Sequence, residues 1–176
     1  MKIVYSPICI EYSLPDKAES PERVGKAARF LKNHYIFIKP KPAADEDLLR
    51  VHTEDLVNKV NTRAFNDPDC PGYERIYEYA KLAAGGAILA AEENSFSLMR
   101  PPGHHAGTNH LGGVCYFNNI AVAIRKQGKR TLIVDIDGHH GNGTEEIFLG
   151  DKNVTYISLH RHPHSLEPGR KAGKTA

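Results

Sequence analysis

Three things are scarce in this sequence, and each scarcity narrows what the chain can be. Its 176 residues hold only three cysteines, Cys9, Cys70 and Cys115, with no C-x-x-C pair among them. That argues against a disulfide scaffold or a zinc ribbon and for a reducing, cytoplasmic setting. No apolar run approaches the ~18 residues of a membrane span, and the opening MKIVYSPICIEYSLP has no basic segment followed by a long apolar core. Neither export nor a membrane partner is expected. Charge of one sign is also lacking: 23 basic against 21 acidic residues leave a formal charge of +2, which gives no electrostatic case for direct nucleic-acid binding.

What is present suffices for one modest domain, with 40% of the residues hydrophobic and nothing in the composition that requires two. Its organising stretch is TLIVDIDGHHGNGT, Thr131 to Thr144. The apolar run Thr131 to Val134 predicts a strand buried on both faces, and Asp135, Asp137 and His139 follow at alternate positions, so three ligand-type side chains are expected on one face. Two carboxylates at the end of a buried strand repel each other and lose hydration, and a divalent cation is the economical compensation. Gly138, Gly141 and Gly143 let the backbone turn sharply there.

Around this stretch, strands and helices alternate. Lys2 to Tyr5 reads as a first strand, and Ser20-Pro21-Glu22 as the start of an amphipathic helix reaching about Asn33. Tyr35 to Ile38 reads as a second strand, and Thr53 caps a helix carrying Leu56, Val57 and Val60. His52, standing alone, reads as a packed or capping histidine. Phe65 to Tyr73 is an irregular connection. Glu74 to Glu93 is the longest helix, and Gly85-Gly86 inside it costs roughly 1 kcal/mol per glycine relative to alanine, so something must approach its backbone closely. Phe96 to Met99 is expected as a buried strand running into Arg100-Pro101-Pro102-Gly103-His104-His105, which presents two adjacent histidines at a sheet end. Asn118 or Asn119 caps a helix from Ile120 to Lys126, Glu145 to Phe148 is a short helix, and Val154 to Leu159 is another buried strand. The pattern predicts an α/β fold with a mainly parallel sheet, helices on both faces, and a site at the strands' carboxyl ends.

The runs RPPGHHA, GGVCYFNNIAVA, VDIDGHHGNGT and YISLH resemble the histone deacetylase superfamily, which also includes acetylpolyamine amidohydrolases and acetoin-utilisation proteins. SPER (Ser20 to Arg23) and LLRVHTEDLV (Leu48 to Val57) agree in order and spacing. The resemblance implies an arginase-like fold and zinc-dependent hydrolysis of an acetyl-lysine or an acetylated small amine. It makes Asp137 and His139 two of three ligands for Zn2+ or another divalent metal, and His104 and His105 the tandem histidines that handle the proton. Asp135 would be the buried carboxylate paired with His104, and Asn142 the residue that orients His105. Gly113 would line the channel near the substrate amide. Val114 would stand where many members carry an aromatic that grips the acyl-lysine stem. Asp135, Asp137, His139, Ser158 and Leu159 match a segment that holds a structural monovalent cation, K+, in some members.

The family's third metal ligand, an aspartate on a later strand, and its carbonyl-binding tyrosine have no counterpart before the last residue. The chain therefore reads as the amino-terminal part of a deacetylase-like domain, residues 1–164, with an irregular tail, 165–176. Two readings stay open. One is a deacetylase that recruits a further ligand, from His162, His164 or a second chain. The other is a truncated, non-catalytic remnant whose sheet ends in an unpaired apolar strand at Val154 to Leu159 and self-associates as a homo-oligomer.

Overall fold

The computed structural model describes residues 1–13 and 19–161. The tail and both candidate ligands in it, His162 and His164, lie outside the described residues.

The first sheet forms around β1 (Lys2–Val4), which pairs in parallel with β2 (Ile36–Ile38) on one side and β3 (Phe96–Ser97) on the other. Its two faces are covered by different helices. On one, Ile3 packs with Ala28 of α1 (Pro21–Leu31) and with Leu98. Against the other lies α4 (Ile76–Glu92), which touches β1 and β3 and packs along α5 (Asn119–Gln127). Parallel strands need such crossover helices, because a tight hairpin cannot return the chain in the same direction.

Before α4 come a short helix α2 (Asp45–Leu48) and α3 (Glu54–Thr62). Thr53 caps α3 by accepting the Leu56 N–H at 3.2 Å, and Asn118 caps α5 by accepting that of Ala121 at 3.1 Å. Ser20 precedes α1 without a side-chain capping bond. The close approach that Gly85-Gly86 predicts is present: a Cβ on Gly85 would run into the Lys41 carbonyl oxygen, and one on Gly86 would sit 2.7 Å from Met99 Cγ. Two glycines thus let α4 pass flush against the 41–43 segment and the exit of β3.

The second sheet is β4 (Thr131–Asp135) paired in parallel with β5 (Val154–Ser158), joined through α6 (Asn142–Phe148). Here two expectations are corrected. Among the described residues the strands form two sheets, in order β2-β1-β3 and β4-β5, both parallel as expected but not joined into one. And β4 is not buried on both faces: Ile133 is 4% exposed and belongs to the main core, while Leu132 and Val134 are 59% and 53% exposed. Ile157, beside Val134 in register, and Phe96 are likewise exposed. A continuous apolar run reads the same whether one face or both are covered, so the sequence could not separate the two cases.

Candidate active site

β4 ends at Asp135, and the alternation beyond it is produced by turns instead of a continued pleat. Asp135 Oδ1 accepts the Asp137 N–H at 3.0 Å, and Asp137 Oδ1 accepts the His139 N–H at 2.8 Å. Each aspartate folds the backbone two residues ahead onto its own carboxylate. Asp137 Oδ1 also meets His139 Nδ1 at 3.0 Å, so these two side chains converge as the spacing predicts. Asp135 turns the other way, into the interior.

There it meets the tandem histidines. His104 Nδ1 donates to Asp135 Oδ2 at 3.0 Å, and His105 Nδ1 donates to Asn142 Oδ1 at 2.7 Å. The two rings lie 4.0 Å apart between centroids. With Nδ1 so engaged, each ring turns its Nε2 elsewhere; that of His104 lies 3.9 Å from Asp137 Oδ1. The His105 and His139 rings are edge to face at 6.1 Å. Four of the residues singled out in the sequence thus share one patch, with Asp135 and Asn142 behind them.

The loop bearing the histidines is held by buried polar groups. The Thr144 N–H donates to the His104 carbonyl at 3.1 Å, and Asn118 Nδ2 donates to the Ala106 carbonyl at 3.0 Å and to Thr144 Oγ1 at 3.1 Å. His52, 3% exposed, accepts the Asn118 N–H at Nε2 (3.0 Å) and donates from Nδ1 to the Gly107 carbonyl (2.9 Å). One neutral imidazole therefore ties the loop before α3 to both site loops. The structure bears out the packed reading of His52, although its partners lie 55 and 66 positions away.

Burial, foremost, lowers the His105 pKa, with the neighbouring His104 and His139 rings acting in the same direction; the bond to Asn142 opposes them. Burial alone would raise Asp135, but hydrogen bonds from His104, the Asp137 N–H and Tyr156 hold its carboxyl below the usual range. For Asp137, too, burial acts upward and is outweighed by the bonds from the His139 backbone and ring. The Tyr156 phenol, pushed up to about 12 chiefly by burial, stays protonated as a donor.

Gly112 and Cys115 exchange backbone hydrogen bonds of 3.1 and 2.9 Å around Gly113 and Val114, whose φ angles are +52° and +62°. Positive φ at both central positions is the type I′ turn. A Cβ on Gly113 would strike the His105 ring, so only glycine lets this turn lie flush on that histidine. Val114 adopts the same conformation against the preference of a β-branched side chain.

A carboxylate oxygen and an imidazole nitrogen are donors that a divalent metal such as zinc accepts, and Asp137 and His139 place one of each side by side; in this structure His139 Nδ1–H donates to Asp137 Oδ1, and that nitrogen would have to lose its proton to ligate. The fit is partial: among the described residues no group of three His, Cys, Asp or Glu side chains is placed to hold a metal. Arg161 NH2 also donates to His139 Nε2 at 2.9 Å, which sets the proton of that ring on Nδ1. The five residues assigned to a monovalent cation gather where β4 and β5 end, with Ser158 opposite Asp135 and the Leu159 N–H on the Asp135 carbonyl at 2.8 Å.

Several supporting residues escaped the sequence reading. Tyr156 donates its hydroxyl to Asp135 Oδ2 at 2.9 Å. A buried ion pair, Arg100–Glu19, sits just before the histidine loop. Arg100, 2% exposed, bridges the Glu19 carboxylate through Nε and NH2, donates from NH1 to the Cys9 carbonyl at 2.9 Å, and lies 4.1 Å over the Tyr12 ring. Inward alternation along β5 could have flagged Tyr156; nothing local joins Glu19 to Arg100.

Residues 17–176 match the histone deacetylase domain family. A probable deacetylase of Methanothermobacter thermautotrophicus is 37% identical over 187 residues, covering 96% of this chain and 56% of the relative. A histone deacetylase-like amidohydrolase of Pseudomonas aeruginosa is 42% identical over 139 residues, covering 68% of this chain and 36% of the relative. Among solved structures, the crystal structure of the HDA15 HD domain superposes with a TM-score of 0.86 at 35% identity, over 97% of this chain and 56% of that one. The chain thus spans about half the length of that domain, and about half or less of these two curated relatives.

Proposed function

The chain belongs to the histone deacetylase family, and from that premise we propose that it carries the proton-handling and part of the metal-holding machinery of a deacetylase acting on an acetyl-lysine or an acetylated small amine. The observation that carries the reading is the pair of hydrogen-bonded histidines, His104 on a carboxylate and His105 on an amide, beside Asp137 and His139.

The different partners give the two rings different tasks. His105, buried and backed by the neutral Asn142 amide, favours its uncharged form. Its free Nε2 is suited to take a proton from the attacking water and return it to the leaving amine. His104, backed by the Asp135 carboxylate, is suited to carry positive charge beside the developing oxyanion. Asp137 and His139 would hold the metal ion, which when bound polarises the acetyl carbonyl and lowers the pKa of water. The Gly113–Val114 turn, flush against His105, would form a wall of the approach to the amide. K+ at the carboxyl ends of β4 and β5 and a cytoplasmic setting belong to the same proposal; the three free, buried cysteines agree with the latter. No helix among the described residues is long and apolar enough to cross a membrane.

The second reading, a deacetylase fold that does not turn over substrate, is favoured by one observation: the described residues supply two of the usual three protein ligands. A zinc titration of the 176-residue chain with an acetyl-lysine peptide assay separates the two. The first reading expects one-to-one zinc uptake, abolished in Asp137→Ala and retained in His105→Ala. Hydrolysis that persists in Asp137→Ala would sink it. Absence of both uptake and hydrolysis would leave the second.

A further inference from the structure

Just beyond β5, Arg161 reaches back to the loop that carries His139. Its backbone N–H donates to the Gly138 carbonyl at 3.1 Å, its Nε to the same oxygen at 3.3 Å, and its NH2 to His139 Nε2 at 2.9 Å. The first two bonds anchor main chain and side chain at one oxygen, so the guanidinium is aimed at the imidazole and not free to wander.

A guanidinium is always charged and carries donors only. Facing it, His139 Nε2 must accept, which leaves the ring's proton on Nδ1, 3.0 Å from Asp137 Oδ1. Nδ1 is thus the nitrogen that could share one ion with the Asp137 carboxylate, and it is the nitrogen that Arg161 keeps protonated. Histidines that ligate a metal almost always donate their other ring N–H to a carboxylate, a carbonyl or water. At His139 that second position meets a cationic donor instead. The tautomer that ligates through Nδ1 would set two N–H groups against each other across 2.9 Å. Ligation through Nε2 would take the lone pair that the guanidinium already holds. Arg161 stands against either mode.

We propose that Arg161 is a positioning residue that gates metal uptake at Asp137 and His139: it holds the ring in the tautomer that pairs with Asp137, and a divalent ion binds only when the guanidinium releases Nε2. Resting on the metal-holding role proposed above for these two residues, the effect has a sign opposite to that of a supporting contact. A support, once removed, loosens a site; removing Arg161 tightens this one.

The test is a zinc titration of the full 176-residue chain against a chelating dye. Arg161→Ala and Arg161→Gln should each bind zinc at least tenfold more tightly than the unsubstituted chain. Glutamine also offers an amide oxygen that can accept the Nε2–H, the partner a ligating ring needs. Arg130→Ala, which removes the same charge from an exposed position before β4, should change the affinity less than twofold. Nitrogen NMR of the His139 ring gives a readout that a purely structural contact would not move. In the unsubstituted chain before zinc the neutral ring should carry its proton on Nδ1, whereas Arg161→Gln should show a share of rings protonated on Nε2. Equal zinc affinity in the unsubstituted chain, Arg161→Ala and Arg161→Gln, whether tight or immeasurable, overturns the gate, and so does weaker binding in both variants. A gain of the same size in Arg130→Ala, or one that survives in Arg161→Gln combined with Asp137→Ala, overturns it as well. Tighter zinc binding without hydrolysis of an acetyl-lysine peptide counts against the deacetylase reading and leaves the gate standing; hydrolysis with zinc affinity unmoved by both Arg161 variants does the reverse.

Discussion

Tyr156 donates its hydroxyl to the same oxygen, Asp135 Oδ2, that receives the His104 Nδ1–H, at 2.9 and 3.0 Å. Two donors from different elements therefore fix one carboxylate oxygen, and the ring of His104 is oriented only as firmly as that oxygen is held. A hydrogen bond to a charged group is worth about 1.5–3 kcal/mol. Tyr156→Phe should lower stability at pH 7 by about that amount, measured by urea unfolding. The depressed Asp135 pKa supplies stability above the unfolded-state value of about 4, lost as pH falls through the lower folded value, so the deficit should shrink in acid.

His52 sets a second pH dependence in a separate window. Burial, above all, lowers its folded pKa to about 4, against an unfolded value of about 6.5. Between these values the unfolded chain binds a proton that the native state refuses. Stability should therefore fall as pH drops from about 6.5 to 4, by ~3 kcal/mol in total, and change little from this source below that. Unfolding free energies at half-unit pH intervals test it, alongside the His52 imidazole resonance, which should remain that of the neutral ring down to about pH 4.

Val114 at φ +62° carries backbone strain of about 1–2 kcal/mol that glycine does not. Val114→Gly should raise the unfolding free energy by up to ~1 kcal/mol, the gain being trimmed by the lost contact of a half-buried side chain. A loss greater than 1 kcal/mol would mean that packing, not the turn, dominates at this position.

Removing one partner of the buried Arg100–Glu19 pair leaves a charge without compensation, which costs about 3–5 kcal/mol. Glu19→Gln should destabilise by that order. Glu19→Gln combined with Arg100→Met should cost clearly less than the two single changes added together, and a double-mutant cycle reads the coupling.

What the sequence disclosed and what it concealed divide along a physical line. The Thr53 cap and the Asp137–His139 convergence depend on residues a few positions apart and follow from their neighbours, whereas Gly85 announced a close approach without naming its partner, Lys41, which is remote in sequence. Family resemblance supplied the pairings of His104 with Asp135 and His105 with Asn142, which span 31 and 37 positions. The roles of His52, Tyr156 and Glu19 come from partners remote in sequence that share no motif. The coverage of β4 was hidden for another reason. Leu132 and Val134 continue the apolar run of β4 yet are 59% and 53% exposed, and an apolar run reads the same in a sequence whether its face is covered or bare.

The three cysteines give the fold an internal clock. Cys9, Cys70 and Cys115 are 0–1% exposed, and burial raises the pKa of every one of their thiols, so none reacts with a disulfide reagent while its surroundings are closed. Each can be modified only when its own neighbourhood opens. Cys9 lies at the Arg100 clamp, whereas Cys70 donates to the Cys115 carbonyl beside the Gly113–Val114 turn. Labelling rates resolved by mass spectrometry would thus time the opening of the clamp and of the turn separately, in the unmodified protein and without any engineered probe.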